Sequence, residues 1–397
     1  KTVIQTLKTY SKHTFPYPYP KAVSVHAKNQ GMEYPMICWN HGRPEEDGSY
    51  SDRTKFGMIS VIIHEIGHNF FPMIVNSDER QWGWMDEGMN TFCQYLTEQE
   101  FARNNPAAVP SGVYPSRRGE PSKIVSYMKG DQNFISPIMS NPENVHQLGA
   151  NAYGKPATAL NILRETVMGH ELFDYAFRTY AQRWMFKHPT PEDFFRTMED
   201  ASGVDLDWFW RAWFYTTDYV DIGIERVKKF HVTSKPNNRV KEILEQKGMT
   251  QSDLPALVYL VAEQSDEYKN EVVKRSEKEN FKTLNEYLMD NFTPSERSKL
   301  KSPNYFYEVT FTKPGGIPMP LIVQYTYGDG SQETITYPVE IWRKNDKQHI
   351  RVLASEKEIT SIEVDPKAQT ADVDTSNNKW PKDQTDSDFD NFKKKVQ

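Results

Sequence analysis

The amino-acid sequence predicts an α+β fold, in which a helix-rich domain is followed by a small all-β sandwich domain. Apolar residues recur at spacings of three and four through much of residues 1–218, and this period indicates helices that bury one face. Residues 303–365 contain short alternating runs separated by turns, and this pattern indicates strands. The chain has 397 residues, of which 37% are apolar and 13% aromatic, so two or three domains are expected.

The first domain is predicted to begin with a helix end, a Pro-Tyr turn and a strand–turn–strand unit. Residues 22–27 (AVSVHA) and 32–39 (MEYPMICW) supply the two strands, and residues 28–31 supply the turn. Residues 56–71 are largely apolar and predict a buried helix. Asp86 is a candidate start of a second helix, because apolar residues follow it at helical spacing. These residues are Met89, Phe92, Cys93 and Leu96.

The remainder of the first domain is predicted to be helical. The helical segments lie near residues 155–168, 170–187, 191–202 and 205–214. The clearest helix start is at Thr190, because its hydroxyl can cap a helix that has Pro191 at its first position and acidic residues in its first turn.

The composition changes after residue 218, and the sequence predicts four further segments. Residues 219–235 form a connecting strand, and residues 236–302, which are rich in Lys, Glu and Ser, form a charged helical insertion. Residues 303–365 form the β-sandwich, and residues 333–342 (ETITYPVEIW) are one of its predicted strands. Residues 366–397 are polar and are expected to form a loosely packed tail.

Charge and hydropathy exclude several classes of partner. The formal net charge is −6 and the basic residues are scattered, so no nucleic acid is expected as a partner. No apolar run approaches the roughly 18 residues of a membrane helix, so no membrane span is expected in this chain. The two cysteines, Cys38 and Cys93, lie in apolar contexts and are predicted to be free buried thiols.

The most informative motif is His64-Glu65-Ile66-Gly67-His68, followed nineteen positions after its second histidine by Glu87. Residues four apart share one face of a helix, so His64 and His68 can bind the same ion. Two imidazoles and the Glu87 carboxylate make the ligand set of a catalytic zinc and leave a fourth position for water. Zinc lowers the pKa of its water towards neutrality, and Glu65 can take the proton. These residues predict a zinc hydrolase, most simply a peptidase.

Three further residues are open to two interpretations. Thr91 shares a helix face with Glu87, where it either holds a ligand's far hydrogen bond or is an ordinary helix hydroxyl. Glu33 lies at a strand end, where it either pairs with the protonated amine of a peptide or is a solvated charge. The residues alone favour the solvated charge. Tyr153 precedes a helix, where it either stabilises an oxyanion or packs like most of the 21 tyrosines.

Taken together, the motifs resemble the gluzincin zinc aminopeptidases, the family of aminopeptidase N. Its members carry a G-x-M-E-N type segment, then H-E-x-x-H, a glutamate after eighteen residues, and later a tyrosine in a Y-x-K context. This chain contains GMEYP at residues 31–35, HEIGH at 64–68, DEG at 86–88 and YGK at 153–155, in that order. The resemblance covers about residues 10–232, and it implies that residues 1–218 form a thermolysin-like catalytic domain.

The resemblance also implies a role for each matching residue. It makes His64, His68 and Glu87 the ligands of one Zn²⁺ ion. It makes Glu65 the general base, which then gives its proton to the leaving amine.

The substrate contacts follow from the same resemblance. Tyr153 stabilises the oxyanion, Glu33 anchors the substrate amine, and the backbone near Gly31 and Met32 lines the cleft. The family's N-terminal β-domain has no counterpart here, and the first strands of the catalytic domain are missing too. We therefore expect that the chain is a C-terminal part of a longer protein and that residues 1–218 are an incomplete catalytic domain.

The resemblance favours a zinc aminopeptidase that acts on peptides with a free N-terminus. A thermolysin-like zinc endopeptidase shares the helix motif and remains the second hypothesis. A zinc-stabilised interaction module without activity is the third. Similar bacterial enzymes are often exported, which predicts a periplasmic or other extracytoplasmic location.

Overall fold

The computed structural model describes residues 1–28, 30–233, 242, 245–250, 257–259, 284–300, 303 and 305–382. Its helices and sheets have the predicted α+β character and form two compact units. The first unit comprises Lys1–Val220, Gly315–Pro318 and Lys367–Val373, and the second comprises Asp221–Pro314, Met319–Pro366 and Asp374–Gln397. Within the described residues, no helix combines the length and the apolar character that crossing a bilayer requires.

The first unit is built mainly from helices. They are α1 (Thr2–His13), α2 (Asp52–Gly67), α3 (Met89–Asn104), α4 (Pro121–Met128), α5 (Lys155–Ile162), α6 (His170–Trp184), α7 (Pro191–Ser202) and α8 (Asp207–Tyr215). Wider π-helical segments lie at Asn69–Ile74, Trp84–Gly88, Gly149–Gly154 and Leu163–Met168, and short 3₁₀ turns lie at Gln132–Phe134 and Pro142–Asn144.

A three-stranded sheet stands beside α2. It consists of β1 (Val23–His26), β2 (Met32–Tyr34) and β3 (Ile37–Asn40), in the order β1-β3-β2. β3 pairs with β1 in parallel and with β2 in an antiparallel hairpin. The prediction of one strand over residues 32–39 is therefore wrong. Pro35 supplies no N–H for a ladder, and Met36 adopts a left-handed conformation (φ 65°), so the chain turns back at this point.

Helix α2 is fixed by its cap and by one apolar face. The Ser51 hydroxyl accepts a hydrogen bond from the backbone N–H of Thr54 at 3.1 Å, which satisfies one of the free amides at the helix start. Ile59, Ile63 and Ile66 recur at helical spacing and are buried. The predicted buried helix within residues 56–71 is present, although the regular part begins at Asp52 and ends at Gly67.

The predicted second helix is present as α3, but its beginning differs from the prediction. The regular helix starts at Met89, and Asp86 lies inside the π-helical segment Trp84–Gly88. The predicted apolar stripe on α3 is buried. Trp84 is also buried, and its ring packs 4.8 Å from Phe214, centroid to centroid. This contact anchors the segment that contains Asp86 and Glu87 to the helical core.

The later helices lie close to their predicted positions. Thr190 caps α7 in a reciprocal capping box with Asp193, as its sequence context predicts. The segment predicted at 155–168 contains α5 followed by the π-helical Leu163–Met168, and the next helix ends at Trp184 rather than near residue 187. Both cysteines are buried free thiols, which confirms that prediction.

The second unit contains two four-stranded antiparallel sheets. The first has the order β5-β4-β6-β9, and the second has the order β11-β10-β7-β8. The strands are β4 (Gly223–Thr233), β5 (Leu257–Tyr259), β6 (Tyr305–Thr312), β7 (Leu321–Tyr327), β8 (Gln332–Tyr337), β9 (Gln348–Ser355), β10 (Ile359–Val364) and β11 (Lys379–Trp380). The backbone N–H of Ile359 donates to the Tyr307 hydroxyl at 2.8 Å and links the two sheets.

Two parts of the second unit differ from the sequence prediction. The predicted connecting strand in 219–235 contains β4, which is an interior strand because β5 and β6 pair with its two edges. The strand predicted over residues 333–342 ends at Tyr337, and a 3₁₀ segment (Val339–Arg343) follows Pro338 because proline cannot continue the ladder.

The predicted helical insertion in 236–302 falls largely outside the described residues. Its described parts include the helices α9 (Leu284–Asn291) and α10 (Pro294–Lys299), as well as the unpredicted strand β5. Tyr287 and Phe292 pack on Phe306 of β6, so α9 covers one face of that strand.

The prediction of a loosely packed tail over residues 366–397 is wrong for residues 366–382, the part that the structure describes. Lys367–Val373 packs within the first unit, where the Val373 amide donates to the Val220 carbonyl at 2.9 Å. Strand β11 pairs with β10 in the second unit. The polar composition conceals this order because backbone pairing, rather than a large apolar face, holds these residues. Residues 383–397 lie outside the described part.

Candidate metal centre

Helix α2 and the segment before α3 bring three metal-ligand atoms together. The Nε2 atoms of His64 and His68 lie 3.1 Å apart, because the two residues are one helical turn apart on the same face. Glu87 Oε2 lies 3.0 Å from His64 Nε2 and 3.5 Å from His68 Nε2. His68 is fully enclosed and His64 is partly exposed, so the cluster opens towards solvent on the side of His64.

The spacing of these atoms suits a tetrahedral zinc ion. Bonds of about 2.0–2.1 Å from a tetrahedral zinc place two ligand atoms roughly 3.3–3.4 Å apart. The three separations in the cluster, 3.0, 3.1 and 3.5 Å, bracket that value. Two imidazole nitrogens and one carboxylate also leave the open position that a catalytic zinc needs. Predicted ligands His64, His68 and Glu87 therefore fit one such ion by geometry and by donor type.

Each histidine is oriented by a partner on its other ring nitrogen. Gln94 Oε1 lies 3.0 Å from His64 Nδ1. The His68 Nδ1 atom lies 2.9 Å from Asp86 Oδ1 and 3.0 Å from the carbonyl oxygen of Phe71. These acceptors favour a proton on Nδ1, which leaves the Nε2 lone pair for a metal.

Thr91, the residue considered from the sequence for this supporting role, does not fill it. Its hydroxyl is buried and has no hydrogen-bond partner within the described residues. Gln94, one turn further along α3, reaches His64 instead. Glu87 and Gln94 are seven residues apart, which is two helical turns, so the spacing alone contains a signal for Gln94. Asp86 is adjacent in sequence to Glu87 and supports the other histidine.

A buried carboxylate fixes the orientation of the Gln94 amide. Glu98 is 2% exposed, and its Oε1 accepts a hydrogen bond from Gln94 Nε2 at 2.8 Å. Ser60 and Ser116 donate to the same carboxylate at 2.7 and 2.5 Å. Burial raises the pKa of Glu98, while these hydrogen bonds oppose the rise. Because Gln94 Nε2 points to Glu98, its oxygen must face His64.

We expect Gln94→Leu to weaken zinc binding by about 10- to 100-fold, because His64 loses the acceptor that selects its tautomer. Zinc affinity is measured by competition with a chromogenic chelator. Asn104→Ala, at the exposed end of the same helix, serves as the control and should leave the affinity unchanged. Equal affinities for Gln94→Leu and the parent protein would show that Gln94 does not support the site.

Glu65 and Glu33 lie side by side next to the cluster. Glu65 is 5% exposed, and one carboxylate oxygen from each glutamate lies within 4.8 Å of a ring nitrogen of His68. Burial raises the pKa of Glu65 to about 8, and the nearby Glu33 carboxylate adds to the rise. A Cβ atom at Gly31 would lie only 2.6 Å from Glu65 Oε1, so a side chain there would displace the Glu65 carboxylate.

Tyr153 faces the cluster from the opposite element, the π-helical segment Gly149–Gly154. Its ring stacks on that of His64, with centroids 5.8 Å apart. Burial raises the pKa of Tyr153 well above its usual range, and the negative charge of Glu87 adds to the rise, so the phenol keeps its proton. Arg118, which the sequence analysis did not identify, places its guanidinium 4.5 Å from the Tyr153 ring centroid.

Close backbone packing holds the Glu87 and Tyr153 segments together. A Cβ atom at Gly88 would meet Pro156 Cγ at 2.6 Å and the carbonyl oxygen of Ala152 at 2.9 Å. Only glycine permits this approach, which explains the glycine that follows Glu87.

A cleft of about 540 Å³ opens over these groups. The structure thus gathers Gly31, Glu33, Glu65 and Tyr153 around the three predicted ligands. The cleft lining includes His64, Glu65, Tyr153, Gly31 and Arg118. Met32 and Glu33, the first two residues of β2, lie outside this lining, and Met32 is 41% exposed.

Comparisons with known proteins also match this chain to peptidases. Residues 1–213 match the sequence profile of the Peptidase family M1 domain. Aminopeptidase M1-A of Oryza sativa subsp. japonica is 20% identical over 234 residues, which cover 57% of this chain and 26% of that protein. Probable aminopeptidase 2 of Sulfurisphaera tokodaii is 22% identical over 254 residues, which cover 61% of this chain and 32% of that protein. The chain thus spans about a quarter to a third of the length of these relatives.

A solved structure of an M1 zinc metallopeptidase from Deinococcus radiodurans also matches. It is 18% identical, with a TM-score of 0.37, and the match covers 53% of this chain and 43% of that one.

Proposed function

Since this chain belongs to peptidase family M1, we propose that the whole protein is a zinc aminopeptidase that hydrolyses the first peptide bond of its substrates. The observation that carries the proposal is the position of two carboxylates, those of Glu65 and Glu33, beside the metal-ligand cluster. One oxygen of each lies within 4.8 Å of a ring nitrogen of His68, which also groups with His64 and Glu87. One zinc ion in a thermolysin-like catalytic domain, followed by a β-sandwich domain, completes the proposed arrangement.

Each group at the site has a separate role in the proposed reaction. Zinc, held by His64, His68 and Glu87, would polarise the scissile carbonyl and make water a nucleophile at neutral pH. Glu65 accepts the proton of the attacking water and delivers it to the departing amine. Tyr153, which stays protonated, donates a hydrogen bond to the carbonyl oxygen as negative charge develops there.

Glu33 supplies the preference for a free N-terminus. Its carboxylate lies beside Glu65 on β2, where it can pair with the ammonium group of the substrate's first residue. A blocked N-terminus carries no charge to form this pair. The same ion pair places the first peptide bond, rather than an internal one, beside Glu65.

We expect the protein to cleave a short peptide with a free amine and to leave its N-acetylated form intact. Glu33→Ala should lower kcat/KM for the free peptide by about 10- to 100-fold, because the ammonium group loses its partner. Both rates are measured by chromatography of the released amino acid, with and without a zinc chelator.

The outcomes separate the three hypotheses. Cleavage of the free peptide alone, abolished by the chelator, supports the aminopeptidase. Cleavage of both peptides, with equal losses in Glu33→Ala, supports the zinc endopeptidase instead. Cleavage of neither, with zinc bound, supports an interaction module. The chain's extracytoplasmic location stays a prediction from the sequence.

A further inference from the structure

We propose that a cation-lined extension of the cleft binds acidic side chains of the substrate that lie after the scissile bond, so that acidic peptides are preferred. We call this cavity the basic branch and define its charged lining by Lys28, Arg43, Arg53 and Arg117 together with Glu45 and Asp52. The proposal rests on the aminopeptidase function proposed above and adds a substrate class to it.

The basic branch adjoins the cleft that contains the catalytic candidates. The two cavities share His41, Gly57, Ser60 and Arg117 in their linings. The branch has a volume of about 970 Å³, compared with about 540 Å³ for the cleft. An aminopeptidase holds only one residue before the scissile bond. The larger adjoining cavity is therefore suited to the residues that follow it.

The charge of the branch is opposite to that of the whole chain. Four cations and two carboxylates line it, whereas the chain has a formal net charge of −6. A concave surface with a net positive charge concentrates negatively charged ligands, because low-dielectric walls focus the field. Acidic peptides are therefore favoured over neutral or basic ones.

In the part of the chain that the structure describes, no carboxylate forms an ion pair with the cations of the branch. Within the described residues, Lys28, Arg53 and Arg117 form no ion pair, and Arg43 Nε donates to the His26 ring rather than to a carboxylate. Asp52 precedes Arg53 in the sequence, but its Oδ1 atom pairs instead with Lys55 Nζ, at 3.7 Å.

Free guanidinium groups suit carboxylates because their planar donors can bind both oxygens of one group. Arg53 lies in the first turn of α2, and Arg117 lies in the loop between α3 and α4, so different elements carry the two arginines of the lining. A carboxylate that enters the branch thus meets donors held by separate parts of the fold. This arrangement predicts selection of Asp or Glu side chains over their amides.

The test compares two peptides that share the same first two residues and carry either Glu or Gln at the third and fourth positions. We expect the parent protein to have a higher kcat/KM for the Glu peptide, and Arg53→Gln together with Arg117→Gln to reduce the Glu-to-Gln ratio by about 3- to 10-fold. Arg211→Gln, an exposed arginine of α8, is the control and should leave the ratio unchanged.

A binding measurement makes the result independent of turnover. Calorimetry on the Glu65→Gln protein, with and without the two arginine substitutions, gives the affinity for each peptide. Tighter binding of the Glu peptide that depends on the arginines supports the basic branch even if no peptide is cleaved, in which case only the proposed function fails. Equal affinities for the two peptides overturn the proposal, as does tighter binding of the Glu peptide that the two arginine substitutions leave unchanged.

Discussion

Glu65→Gln is expected to lower kcat by on the order of 10²–10⁴-fold or more, while the protein still binds zinc. The amide has nearly the same size as the carboxylate, but it cannot accept a proton from water at neutral pH. The ligand atoms belong to His64, His68 and Glu87, so the metal affinity should not depend on Glu65. Single-turnover rates and zinc content, measured on the same sample, test both halves of the prediction.

The matched control is Glu171→Gln, because Glu171 is an exposed glutamate of α6 that lies outside the lining of the cleft. It should leave kcat unchanged. Near-normal turnover in Glu65→Gln would remove the general base from the proposed mechanism. Loss of zinc from the same variant would instead mean that Glu65 supports the metal site directly.

The metal site could be predicted in advance because its chemistry depends on local spacing. His64 and His68 face the same way on any α-helix, and Glu87 follows within one further helical segment. The supporting residues were harder to predict. Thr91 and Gln94 both lie on α3, and only Thr91 was considered for the supporting role, although Gln94 is the residue that meets His64.

Contacts between distant segments leave no comparable pattern in the sequence. Arg118 lies in a loop, and its place over Tyr153 depends on how α4 and the Gly149–Gly154 segment pack. The position of β4 inside a sheet depends on β5 and β6, which are remote in sequence. The alternation of residues indicates a strand but does not identify its partners.

Proline explains the two strand errors in physical terms. Both Pro35 and Pro338 lie within runs of residues that favour strands. The composition of these runs predicted a continuous strand, although proline lacks the N–H that the ladder needs. In the structure the missing donor ends the ladder at each position. The turn at Pro35 matters for the site, because it separates β2, which contains Glu33, from β3.

Tyr153→Phe is expected to lower kcat by on the order of 10²–10³-fold while changing KM much less. The phenol oxygen is the only atom removed, so the ring can keep its stacking on His64 and its contact with Arg118. What is lost is a hydrogen bond that strengthens as charge develops on the carbonyl oxygen. An interaction of this kind stabilises the transition state more than the bound substrate.

Steady-state kinetics with a free-amine peptide provide the measurement, and Tyr175→Phe, an exposed tyrosine of α6, is the control. A large fall in kcat with zinc affinity unchanged would assign the oxyanion role to Tyr153. An unchanged kcat would remove Tyr153 from the mechanism. A rise in KM alone would mean that the phenol helps to bind the substrate and contributes nothing specific to the transition state.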